Sequence, residues 1–119
     1  MAVVKRVQKK VIMSTKDVIK FQLITHCYLN RIMVSNSELE CLTLLSLIGS
    51  IEIAHFCYDA ADEQKIFKSQ QTVRNCINKC IKFKLVVRDS KNKKLIYINP
   101  KINVETLGSI FLDYNFLAK

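Results

Sequence analysis

Tryptophan is absent from this 119-residue chain, and the helix and turn punctuators are scarce, with two glycines and one proline. Phosphate-binding glycine loops need several glycines within a few positions, so the isolated Gly49 and Gly108 exclude them. A lone Pro100 and no tryptophan argue against a β-sandwich, which needs turn residues about every 8–12 positions. Long apolar runs are missing too. The longest, Leu42 to Ile48, is interrupted by Thr43 and Ser46 and stops at Gly49, far short of the roughly 20 residues that span a bilayer. Near the N-terminus, Lys5, Arg6, Lys9 and Lys10 are followed by no apolar core before Lys16 and Asp17, which is not the pattern of an export signal. There is no Cys-x-x-Cys pair. The five cysteines, an odd number, read as free thiols in a reducing compartment, and the expected location is cytoplasmic.

What is present is apolar mass and positive charge. Half of the residues are hydrophobic, enough for one packed domain at this length. The formal net charge is +9, and its distribution matters more than its total. Residues 68–101 carry ten cations against the single acid Asp89, a net charge equal to that of the whole chain. Residues 1–34 are also basic and residues 35–67 are acidic, so the rest cancels. A charge block of this kind fits a polyanion, nucleic acid above all; a solvated basic face is the alternative.

Along the chain, residues 1–13 are basic and valine-rich and read as an arm or an edge strand. From Ile19 to Leu29 the apolar residues alternate as in a strand, while Ser14 followed by Asp17 caps a helix nearly as well. Ser35 with Glu38 forms a capping box for a helix carrying Leu39, Leu42 and Leu45, which Gly49 stops. Glu52 to Lys65 reads as a short acidic helix with Ile53, Phe56, Cys57 and Ala60 inward. After Ser69 as cap, Val73, Cys76, Ile77, Cys80 and Ile81 repeat at helical spacing. The other face of that helix holds Gln70, Gln71, Arg74, Asn75, Asn78, Lys79 and Lys82 with no acid among them. Amides and guanidinium groups of this kind pair with base edges, and ammonium groups with phosphates. Leu85 to Arg88 and Leu95 to Ile98 are two short strands. The polar turn Asp89 to Lys94 joins them and carries Lys91, Lys93 and Lys94. Asn99-Pro100 ends the second strand. A last helix is expected from about Asn103, burying Val104, Leu107, Ile110, Phe111, Tyr114 and Leu117.

Other chemistry has weaker support. Cys76 and Cys80 lie four apart and could share a metal with His26 or His55, but both fall on the apolar stripe and read as buried thiols. No activating pair singles out a catalytic cysteine, and no catalytic residue, metal or cofactor is expected. Asp59, Asp62 and Glu63 fit no calcium loop and read as a solvated helix face. Phe21, Tyr28, Phe111, Tyr114 and Phe116 read as core or dimer contacts rather than stacking platforms. Lys5, Arg6, Lys9 and Lys10 suit a minor-groove arm and a soluble tail equally.

The succession of capped helix, acidic helix, polar-faced helix and basic hairpin, over about residues 35–100, resembles the winged helix-turn-helix family. The run Phe67-Lys68-Ser69-Gln70-Gln71-Thr72-Val73-Arg74-Asn75 looks like the opening of its recognition helix, and Asn92 to Pro100 like the return strand of its wing. More loosely, the chain is similar to small winged-helix proteins of tailed phages of Bacteroidota. The resemblance implies an α+β fold: a three-helix core with a basic β-hairpin wing, an extra N-terminal strand or helix and a C-terminal helix. Residues 1–13 would form an arm and 14–119 a single domain. It further implies a non-catalytic, phage-type transcriptional regulator in the host-cell cytoplasm. The helix 70–82 would enter the major groove of double-stranded DNA and the wing lysines would touch flanking phosphates. A virion component or protein–protein adaptor of head, connector or tail is the alternative. A homodimer through the terminal helix and Ile19–Leu29 is a further expectation. Two departures from the family stand out. Lys84 sits where a glycine is usual, and the Gly49–Ser69 stretch is long enough to hold an extra turn.

Overall fold

A computed structural model describes residues 3–118 as a mixed α+β chain with four helices and two small antiparallel sheets. In order these are β1 (Val3–Val11), α1 (Thr15–Leu29), α2 (Asn36–Ile48), β2 (Ser50–Glu52), α3 (Ile53–Tyr58), α4 (Gln70–Lys82), β3 (Val86–Arg88), β4 (Leu95–Ile98) and β5 (Ile110–Ala118). A wide helical turn, Asp59–Glu63, extends α3, and a tight one, Pro100–Ile102, follows β4.

Local sequence sets the helix ends. Ser14 caps α1 by accepting from the Asp17 amide at 3.2 Å, so the helical reading of this segment holds over the alternating one. Ser35 and Glu38 close a reciprocal box on α2, with bonds of 3.1 and 2.7 Å. Gly49 then ends that helix at φ +97°. Helices α1 and α4 instead stop at cations in the left-handed region, Arg31 (φ 57°) and Lys84 (φ 62°). At both, the two following amides return to the last turn: Ile32 to the Cys27 carbonyl and Leu85 to the Cys80 carbonyl, each at 2.8 Å. Lys84 thus ends α4 in a left-handed conformation that glycine more often takes.

The core gathers one face from each helix. Ile19 and Leu23 of α1, Leu42 and Leu45 of α2, Phe56 of α3 and Ile77 of α4 are all fully buried, with Leu85, Val86 and Ile96 from the hairpin. The small sheet β2–β4–β3 closes one side, with Ile51 opposite Ile96 and Val87 opposite Tyr97. The extra turn expected after Gly49 corresponds to the wide turn at Asp59–Glu63, where Ala60 and Ala61 are buried.

The C-terminal segment differs from its expectation. Instead of a helix, residues 110–118 form β5, paired along its whole length with β1. Phe111, Tyr114 and Leu117 are exposed and Leu107 is 87% exposed, so the expected buried helical face does not exist. Spacing of 3 and 4 among the apolar residues allowed a helix, yet Ile110, Leu112, Tyr114, Phe116 and Ala118 also alternate. The extended partner at the other end of the chain, invisible to local pattern, decides between the two periods. Of the N-terminal stretch, Val3–Val11 is accordingly a strand paired on one edge.

Candidate nucleic-acid interface

Helix α4 is built to present one polar face. Ser69 Oγ accepts from the Thr72 amide at 3.1 Å, and Val73, Cys76, Ile77 and Cys80 are buried beneath it, with Ile81 half-buried. The stripe therefore fixes the rotation of the helix, which leaves Gln70, Gln71, Asn75, Asn78 and Lys82 exposed and Arg74 and Lys79 half-buried.

Several of these side chains are already engaged. Gln70 donates to Asp62 Oδ2 at 2.8 Å, and Gln71 donates to Asn75 Oδ1, one turn away, at 2.9 Å. Lys79 Nζ donates to Glu38 Oε1 at 2.9 Å, so the carboxylate that completes the α2 capping box also neutralises one cation of α4. Burial pushes the Glu38 carboxyl up, but the Ser35 amide and the Lys79 ammonium outweigh it, and the group ends below the usual carboxylate range. The same hydrogen bond to Glu38 raises Lys79. Ion pairs among the described residues run Arg6–Asp113, Lys16 and Lys20 with Glu40, and Lys79–Glu38, and His55 Nε2 lies 3.6 Å from Asp59 Oδ1. Arg74, Lys82 and the turn lysines stand outside all of them.

The 89–94 turn uses its single acid internally. Asp89 Oδ2 accepts from the Lys91 and Asn92 amides at 3.0 and 2.9 Å, and Asn92 Oδ1 accepts from the Lys94 amide at 3.1 Å. Arg88 donates to the Lys93 carbonyl at 3.0 Å. The backbone is thereby held while Lys91, Lys93 and Lys94 remain exposed. The turn thus pairs a fixed loop with three solvated cations.

The cysteines are structural in placement. All five are free and buried. Burial raises Cys27 and Cys57, while hydrogen bonding to Cys76, together with burial, raises Cys41 and Cys80. Among the described residues no three His, Cys, Asp or Glu side chains, His26 and His55 included, are placed to hold a metal ion. Nor is any helix among them long and apolar enough to cross a membrane. Sequence reasoning missed β2, which adds Ile51 to the sheet; three residues are too short a run to carry a period. It also missed the Glu38–Lys79 pair, which joins residues far apart in the chain.

No protein-family model, no curated protein and no solved structure matches the chain.

Proposed function

We propose that this chain is a winged-helix protein that binds double-stranded DNA and catalyses no reaction, acting as a phage-type transcriptional regulator. The observation that carries this reading is the outward face of α4, which holds no acid of its own, together with a preorganised lysine turn further along the chain, beyond β3. The order α2, β2, α3, α4, β3, β4, with β4 central in its sheet, fits that architecture. In this reading α4 lies in the major groove. Arg74, Asn75 and Gln71, near its N-terminal end, meet base edges; Asn78 continues that row and Gln70 steadies its start. Lys82, Lys91, Lys93 and Lys94 sit against flanking phosphates, and Lys79 joins them once released from Glu38.

Titration with duplex DNA at several salt concentrations tests this. Replacing Lys91, Lys93 and Lys94 together by alanine lowers the slope of log K against log salt by up to about 2.7. Asn75→Ala costs about 1–3 kcal/mol on a preferred sequence and little on random duplex. An unchanged slope in the triple variant removes the turn from the interface.

A second reading, an adaptor or virion component on the same fold, is favoured by the exposed Phe111, Tyr114 and Phe116 of β5. Stoichiometric presence of the chain in purified particles, without any DNA shift at physiological salt, would establish it.

A further inference from the structure

The β1–β5 ribbon stands apart from the body. The two strands pack chiefly against each other, and the Cα radius of gyration is 16.5 Å. A compact domain of this length has about 13–14 Å. An isolated two-stranded ribbon is marginal in water; three or more strands with an apolar face are needed for stability. Among the described residues no third strand pairs with either edge, so further strands have to come from outside the chain.

The two edges are not equivalent. β1 carries Lys5, Arg6, Lys9 and Lys10, the kind of charged row that keeps an edge from pairing. β5 carries one charge, Asp113, and Arg6 holds that carboxylate at 3.1 and 3.2 Å. Arg6 thereby keeps Asp113 below its ordinary range. On one face β5 presents Ile110, Leu112, Tyr114, Phe116 and Ala118; on the other, Asp113 and Asn115 stand at its centre.

We infer that β5 is the seam of a homodimer. Its free edge pairs antiparallel with β5 of a second copy about a two-fold axis at Tyr114, giving a four-stranded sheet with β1 at both margins. This register pairs all nine residues of β5. It sets Leu112 against Phe116 of the other copy and Asp113 against the neutral amide of Asn115. Moving the axis to Asp113 would keep the apolar residues on one face but pair fewer of them and set the two Asp113 carboxylates directly against each other. The same operation on β1 would set Lys5 directly against Lys9 of the other copy, twice, and crowd Arg6 and Lys10 along the same seam. A second copy therefore satisfies every charge on this edge. The contact is independent of DNA.

Sedimentation of the full chain without DNA tests the seam. The expected mass at high concentration is twice the 13.8 kDa of one chain, falling on dilution. Asn115→Asp places a carboxylate opposite Asp113 of the other copy twice, yet sits opposite Arg6 in its own chain and so leaves the ribbon intact. It weakens the dimer roughly tenfold or more, with an unchanged monomer melting curve as the control for folding. Directly opposed Cα atoms lie about 4.5–5.5 Å apart, within disulfide reach. Since the five native thiols are buried, Tyr114→Cys treated with diamide forms a covalent dimer, and Phe111→Cys, at a more exposed position, does not. A monomer at the highest soluble concentration overturns the inference. So does a dimer indifferent to Asn115→Asp with no preference for cross-linking at position 114, which would assign the edge to another protein's strand.

Discussion

At the scale of single residues, cations do jobs usually left to glycine. Arg31 and Lys84 occupy left-handed positions that close α1 and α4. A side chain there carries a steric cost that glycine avoids, partly offset by the freedom glycine adds to the unfolded chain. Arg31 is exposed and far from the lysine turn in sequence, so Arg31→Gly is expected to stabilise the fold by about 0.5–1 kcal/mol. A thermal melt should show a midpoint a few degrees higher, with unchanged DNA affinity. Glu38 couples stability to the interface. Its folded-state carboxyl lies below the ordinary value, so the stability it contributes is present above about pH 4.3. That contribution is lost as pH falls through the lower folded value. Glu38→Gln is expected to cost about 1 kcal/mol at neutral pH and to flatten the decline of stability below about pH 4.3 in melts across pH 3–7. The same change frees Lys79 and should steepen the salt slope of DNA binding by up to about 0.9.

At the scale of elements, burial decides which side chains matter. Ile77 is fully enclosed, and Ile77→Ala should cost about 2–5 kcal/mol in denaturant unfolding. On the opposite side of α4, Asn78→Ala should stay within about 0.5 kcal/mol. Leu107→Ser should also stay within about 0.5 kcal/mol, because the residue faces water rather than a helix core. These contrasts follow how the elements could be read. α4 was legible to the residue because its cap, its apolar stripe and its polar face all agree. α2 was legible from its capping box, its leucines and the Gly49 stop, and the hairpin from its β-branched runs. The helical nature of residues 15–29 rested on Ser14 alone, since the apolar residues there fit two periods. β5 was misread because its partner lies at the other end of the chain, and register across the chain leaves no local mark. Of the candidate interface, residue types and helix face were legible. The engagement of Lys79 by Glu38 and of Gln70 by Asp62 was not, because neither is encoded by spacing on one element.

At the scale of the whole molecule, charge and apolar surface are segregated. The +9 block of residues 68–101 contains α4 and the lysine turn, most of the acids fall in residues 35–67, and the exposed Phe111, Tyr114 and Phe116 lie on β5. Under the proposed function this separation would leave DNA and self-association to different parts of the chain. Backbone-amide chemical shifts of the protein, recorded as duplex DNA is added, test the central claim most directly. The account predicts that the shifts concentrate at residues 69–82 and 88–94 and spare α1. Shifts confined to β1 and β5, or spread evenly over the surface, would contradict it.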